Sequence, residues 1–453
     1  MVCIEKLGAK PAFTQKNLCR GGRVAKKRMG DGTQMKIVHV STEDISGGAG
    51  RATYRLHTGL RRLGLDSSMF VVNRRSKDVD VAAFDASMKW TDRIRRRLRR
   101  RRIARDFARY GASRPAGFEI FSDDRGEYGE DLVQHLPPCD IMNLHWIARY
   151  VDYETFFSAV PKKIPVVWRI TDMNPITGGC HYDEGCGKYL VGCGSCPQLG
   201  SDDPHDLSRQ VWTRKKKIFG GLEPHRLHFV ALNRWMASNL AQHPFLNRFP
   251  VTIIPNGLDT DIFVPQDRKV AREMLGFPQD ATIVLFVASN VHIRYKGFLP
   301  LVEALSGLKE RCNLLLVSVG AKSELKLGIP IPHTNLGPIN DDQLLALTYN
   351  AADLFVIPSL QDNSPNTVLE SMACGIPVVG FETGGVPDMV RHGVTGLLAP
   401  CNDVAALRAA IEDLIRNPSK REEMGVNSRR VALHEYSLPV QARRYSELYQ
   451  SLR

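Results

Sequence analysis

Short apolar runs alternate with stretches of helical period from residue 35 to about residue 430 of this chain. The first run, KIVHV at Lys36–Val40, is strand-length, and further strands are predicted at Met69–Val72, Ile141–His145, Val166–Ile170 and Leu227–Leu232. Between the first two, SGGAGRATYRLHTGLRRLG reads as a Gly-rich turn into a helix with Ala52, Leu56, Leu60 and Leu63 on one side. A Pro/Asn-rich join near VTIIPNGLDTDIF opens a second series, with strands at Ile283–Ala288, Leu314–Val319, Leu354–Ile357 and Val378–Gly380. Nearly continuous apolar strands alternating with helices predict parallel sheets covered on both faces. The fold class that follows is α/β: two doubly wound Rossmann-like domains facing one another across a cleft, residues 35–245 and 246–430. Residues 431–453 are expected as a last helix crossing back to the first domain. Residues 1–34 are polar, basic and without period; they are expected to be a disordered tail, or to precede a true start at Met35.

The segment PSLQDNSPNTVLESMACGIPVVG, residues 358–380, concentrates the candidate chemistry. Asp362 and Glu370, with seven residues between them, flank a strand-to-helix turn. Asn366 is the expected helix cap, and Gly375 with Pro377 ends that helix. Acids at the C-terminal mouth of a parallel sheet lie where open α/β folds bind ligands. Beside a Gly-Gly loop (Gly384, Gly385), they suit a ligand carrying both hydroxyls and phosphates.

Length and composition add bounds. A chain of 453 residues accommodates two cores, and 43% apolar with 24% charged residues is ordinary for a globular protein. No apolar run approaches the ~20 residues that span a bilayer. Nothing in the sequence points to export, so a cytoplasmic location is expected, with the ten cysteines reduced. The net charge of +13 is unevenly spread: RIRRRLRRRRIARDFAR, residues 93–109, holds ten arginines. Trp90, Ile94 and Leu98 fall four apart, with Ile103 and Phe107 continuing a looser stripe. The run reads as a solvated helix packed by that stripe, or as a basic amphipathic helix lying on anionic lipid through Arg95–Arg102. The second reading is favoured because so dense a run of one sign repels itself without an anionic partner; nucleic acid is the third reading and is not expected as a partner.

Other residues invite chemical roles. Gly47, Gly48 and Gly50 free backbone amides at a helix N-terminus, an anion site. Arg294 and Lys296 follow a strand of the second series, where fixed cations suit an anionic ligand. His145 ends a strand and either faces the cleft or is a satisfied core histidine. Cys180, Cys186, Cys193 and Cys196 form C-x5-C-x6-C-x2-C, which suits structural zinc or buried free thiols equally, with His181 an alternative ligand.

Four stretches of the second half, IIPNGLDTDIF, IRYKGF, QDNSPNTVLESMACGIPVV and GGVPDMVRHGVTGLL, together resemble the donor domain of GT-B glycosyltransferases of family 4. In the first half, HVSTEDISGGAGRA and NPITGGCHYDEGCGKYLVGCGSCPQLG resemble its exopolysaccharide and colanic-acid branch. The resemblance implies transfer of a sugar from a nucleotide-sugar to a lipid-linked saccharide at the inner membrane face. Retention of configuration and no catalytic cofactor are implied with it. It assigns the acceptor to the first domain and the donor to the second. Glu370 would bind the nucleotide ribose and Asp362 the sugar hydroxyls; Lys296, Gly48, Arg51, Gly384 and Gly385 would attend the diphosphate, with Gly47 and Asn363 also at the donor. The sequence departs from the family at Val291, where an arginine is usual and for which Arg294 is the expected substitute. It departs again at Thr171, where a histidine is usual, leaving Asp172. The alternatives are a nucleotide-sugar epimerase on the same fold, or a non-catalytic protein binding anionic membrane or nucleic acid.

Overall fold

The computed structural model describes residues 34–86, 89–290, 293–309, 313–321 and 331–453. The expectation for residues 1–34 lies outside them except at Gln34, and so does the one concerning Val291.

Two parallel sheets organise Met35–Arg453. The first contains β1 (Lys36–Glu43), β2 (Asp66–Asn73), β3 (Val81–Ala83), β4 (Ile141–Leu144), β5 (Val166–Arg169), β6 (Leu227–Ala231) and β7 (Val251–Ile253). The second contains β8 (Thr282–Asn290), β9 (Leu314–Ala321), β10 (His333–Asn335), β11 (Leu354–Ile357), β12 (Val378–Glu382) and β13 (Gly396–Pro400). Their strand orders are 3-2-1-4-5-6-7 and 10-9-8-11-12-13. Each order reverses direction once, between β1 and β4 and between β8 and β11. At such a switch point neighbouring helices leave to opposite faces and a crevice opens at the carboxyl ends of the strands.

Both faces of each sheet are buried, as the unbroken apolar strands require. Trp168, Phe229 and Phe219 anchor one face of the first sheet, while Ile37, Ile141 and Val167 pack on the other. That second face is completed from far along the sequence, because the helix Leu438–Ser451 places Tyr445 and Tyr449 there. Tyr449 accepts a hydrogen bond from Asn143 of β4 at 2.6 Å. The chain crosses between the sheets twice, and the two crossings pair: Leu258 N–H donates to Tyr436 O and Leu438 N–H to Leu258 O.

Two local expectations need correction. Leu63 falls one residue beyond the helix Gly47–Arg62 and is 45% exposed, so the buried stripe ends at Leu60. The arginine-rich helix spans Trp90–Ala108 and buries no residue at all. Trp90, Ile94 and Leu98 are 72, 47 and 59% exposed, so they do not pack it onto the domain. Only the C-terminal end of the stripe packs, where Phe107 meets Phe121. Polar contacts add to it: Arg99 pairs with Asp152, Asp106 accepts from Arg125, and Arg96 lies over the Tyr128 ring.

Candidate active site in the cleft

A cavity of about 670 Å3 opens between the two sheets at both switch points. Its second-domain wall carries Lys296, Asp362 and Glu370. Lys296 follows β8 on a single helical turn, Arg294–Lys296, and its Nζ lies 2.7 Å from Asp362 Oδ2. Asp362 is 4% exposed in the loop after β11, and Ser359 Oγ donates to it at 3.3 Å. The loop's sharp return is set by Gly384 (φ +54°), where a Cβ would run into the Asp362 carbonyl.

Glu370 sits one turn into the helix Asn366–Ala373, between two donors. Arg55 of the first domain approaches Oε1 at 3.0 Å, and Tyr349 donates its hydroxyl to Oε2 at 3.2 Å. Each carboxylate oxygen keeps a further lone pair for a ligand hydroxyl. Arg55 also reaches Asp342 at 3.2 Å, and the two carboxylates hold its guanidinium firmly protonated against burial. Asn366 does not cap its helix; Pro365 stands at that position. The Asn366 amide spans the cleft instead, donating to Gly48 O at 3.0 Å and accepting from Asn256 at 3.2 Å.

The first-domain wall begins at the turn after β1. Gly47 adopts φ +66°, which a residue with a side chain seldom takes, and Gly47 and Gly48 line the cavity. Arg51, one turn further, ion-pairs with Asp342 at 3.2 Å. Beyond β5, Thr171 and Asp172 line the cavity as well. Asp172 accepts from Trp146 Nε1 at 2.9 Å, from the Asn174 amide at 2.9 Å and from His181 Nδ1 at 2.7 Å. Ser122 Oγ stands 2.7 Å from His181 Nε2, so both ring nitrogens are engaged. A His–Asp pair thus forms although position 171 is threonine, its imidazole delivered by the cysteine-rich loop.

The remaining expected residues are not brought to the cavity. His145 is 2% exposed, bonded to His39 at 2.9 Å, and burial holds it neutral. Arg294 is two-thirds exposed, over the Phe118 ring and 3.8 Å from Glu184. Asn363 is wholly buried as a bridge between domains, donating to Ile170 O and accepting from Asn233. Gly384 and Gly385 turn onto the backbone of Asp362 and Asn363. Cys180, Cys186, Cys193 and Cys196 surround a separate cavity of about 20 Å3. Among the described residues, no three His, Cys, Asp or Glu side chains converge to hold a metal.

Sequence reasoning missed Arg55, Tyr349, Asn256, Asp342 and Arg169. Arg55 carries a signal in retrospect: it follows Arg51 by one helical turn, at the edge of a stripe that is otherwise apolar.

The architecture is that of the GT-B glycosyltransferases. Sucrose-phosphate synthase from Thermosynechococcus elongatus superposes with a TM-score of 0.63 at 19% identity, covering 92% of this chain and 99% of that one. Anabaena HepE in complex with UDP-glucose gives 0.62 at 16% identity over 92% and 100%. WaaG, a glycosyltransferase involved in lipopolysaccharide biosynthesis, gives 0.61 at 17% over 92% and 99%. More particularly, residues 267–431 match the family model described as Glycosyl transferases group 1. A D-inositol 3-phosphate glycosyltransferase of Mycolicibacterium paratuberculosis is 34% identical over 177 residues, 37% of this chain and 40% of its own length. That of Geodermatophilus obscurus is 32% identical over 214 residues, 43% of this chain and 46% of its own length. The chain therefore spans less than half the length of these curated relatives.

Proposed function

We propose that the protein transfers a sugar, with retention of configuration, from a nucleotide-sugar to a lipid-linked saccharide in exopolysaccharide or lipopolysaccharide synthesis. The observation that carries this reading is the Lys296–Asp362 pair, 2.7 Å apart beside Glu370 on the wall of the interdomain cavity. A cation held by a carboxylate is placed to meet negative charge as a diphosphate departs. Glu370, with a lone pair left on each oxygen, binds the ribose hydroxyls. The Gly47–Gly48 turn offers amides to the diphosphate. The UDP-glucose complex of HepE and the group 1 match over residues 267–431 support a nucleotide-sugar donor.

The lipid-linked acceptor draws support from the helix Trp90–Ala108. Its exposed Trp90, Ile94 and Leu98 stand among arginines, the composition of a helix that lies on anionic lipid. No helix among the described residues is long and apolar enough to cross a membrane.

Structural zinc at the cysteine loop is a further part of this proposal. The four thiols share one small cavity, and zinc would draw them together and release their protons. About one zinc per purified chain, lost on changing Cys193 and Cys196 to Ser, is the expected result; a metal-free folded protein ends this part of it.

The test of the main reading is thermal stabilisation by UDP-, GDP-, ADP- and dTDP-sugars, beside the Glu370→Ala variant. One nucleotide class should raise the melting temperature of the wild type and leave the variant unmoved. Stabilisation by none, or by all equally in both proteins, refutes it.

A further inference from the structure

Arg169, the last residue of β5, is a buried cation without a counter-ion. Its side chain is 0% exposed, and no carboxylate among the described residues lies within ion-pair distance of it. The other buried arginines are compensated: Arg55 by Glu370 and Asp342, Arg272 by Asp353, Arg226 by main-chain carbonyls. Around Arg169 stand His145, Asn256 and the phenols of Tyr445 and Tyr449, all neutral at pH 7. An uncompensated buried charge is costly, so its retention calls for a partner.

The hydrogen bonds show which way the guanidinium is turned. One terminal nitrogen faces His145 Nδ1 at 3.4 Å and the other donates to Asn256 Oδ1. Because arginine only donates, His145 accepts on Nδ1 and carries its proton on Nε2, which faces His39 Nδ1. His39 then donates from Nε2 to Ser67, and Ser67 donates to His57 Nδ1 at 2.8 Å. His57 Nε2 ends the series 3.7 Å from Asp78. Three neutral imidazoles thus run in one direction between a cation and a distant anion. This array orients Arg169 without neutralising it. Of its five N–H groups three remain, including Nε, which has no partner. Arg169 lines the interdomain cavity beside Asn256, Asn366 and Gly48.

We propose that Arg169 is the floor of an oxyanion site, and that it takes a phosphate oxygen of a ligand bound in the cleft. This rests on the glycosyltransferase reading for the identity of the ligand, not for the existence of the site. The guanidinium fork suits a phosphate in a way that a lysine point charge does not. The phosphate could come from the donor diphosphate or from a phosphorylated acceptor; the chemistry is the same. His145 acts here as a positioning residue.

Titration calorimetry with inorganic pyrophosphate, UDP and glucose 6-phosphate on wild type, Arg169→Met and Arg169→Lys tests this. Pyrophosphate should bind wild type and lose at least tenfold affinity in Arg169→Met, with Arg169→Lys between. Loss confined to UDP among the other two probes identifies the donor diphosphate; loss confined to glucose 6-phosphate identifies the acceptor. The melting temperature of unliganded Arg169→Met should equal or exceed that of wild type, which a structural arginine would not allow. Equal pyrophosphate affinity in wild type and Arg169→Met, or none in either, overturns the proposal, as does a destabilised Arg169→Met with full affinity in Arg169→Lys. If the site binds pyrophosphate while no nucleotide-sugar binds, the site stands and the glycosyltransferase reading falls.

Discussion

Arg55 of the first domain and Glu370 of the second form a buried ion pair at 3.0 Å, with side chains 8 and 4% exposed. The group expected to receive the ribose is therefore also a fastening between the domains. Its two members are not equivalent: among the described residues, Arg55 has a second carboxylate in Asp342, while Glu370 has the Tyr349 hydroxyl as its one other side-chain partner.

That asymmetry predicts an order of stabilities. Arg55→Met leaves Glu370 without a charge partner in a buried site, a loss of roughly 3 kcal/mol. Glu370→Ala leaves Arg55 paired with Asp342 and should cost clearly less. Urea midpoints of the two variants check the order. In nucleotide titrations the ranking for Glu370→Ala reverses: affinity should fall about 10- to 100-fold with loss of hydrogen bonds to a charged group.

Lys296→Met removes the cation beside Asp362 without adding a polar group. Turnover at saturating donor should drop by about 10²–10³, the magnitude seen for groups aimed at developing charge. Donor affinity should change much less. A fall in affinity with turnover intact would place Lys296 in binding alone.

Neutralising Arg95, Arg97, Arg100 and Arg101 as glutamines should release the protein from vesicles containing phosphatidylserine. These four side chains are exposed on the helix Trp90–Ala108 and are distinct from Arg99, which pairs with Asp152. Wild-type binding should weaken steeply with salt. Co-sedimentation that is unchanged in the variant would return the helix to an ordinary solvated face.

The imidazole array predicts a pH dependence. Burial lowers His57 from 6.5 to about 4 and pushes His39 and His145 well below their ordinary value, with Arg169 opposing protonation of the latter two. Asp78 and Asp80 act the other way on His57, and Arg61 with burial. Between pH 6.5 and about 4 the unfolded chain therefore binds more protons than the folded one. Stability should be full above pH 6.5 and fall as the pH drops through that window, by up to ~1.4 kcal/mol per unit for each histidine. Urea midpoints at pH 7.5 and 5.0 measure the slope, and His57→Gln should flatten it.

The central strands were legible because they are largely apolar, while the short edge strands β3, β7, β10 and β13 were not, β10 being His-Thr-Asn. The placement of Lys296, Asp362, Glu370 and the Gly47 turn at the cleft was legible because their neighbours in sequence state their setting. Residues whose partners lie hundreds of positions away were not. Arg55 meets Glu370 across 315 residues, and Asn366, which a local reading makes a helix cap, bonds to Gly48 across 318. His145 shows the converse: a strand-end histidine looks the same in sequence whether it faces a cleft or another histidine. The stripe of the arginine helix left two readings open for a similar reason, since periodicity gives a face but not what covers it; Trp90, Ile94 and Leu98 are exposed while Phe107 is packed.

The helix Leu438–Ser451 completes the hydrophobic packing on one side of the first sheet. During synthesis that sheet leaves the ribosome some two hundred residues before its last layer, so the domain made first must be finished last. Its strands wait with Ile37, Ile141 and Val167 uncovered while the second domain emerges and folds. Removing the helix Leu438–Ser451 would thus strand the first domain rather than the second, and a nascent-chain assay should see the first domain become protease-resistant only once that helix has emerged.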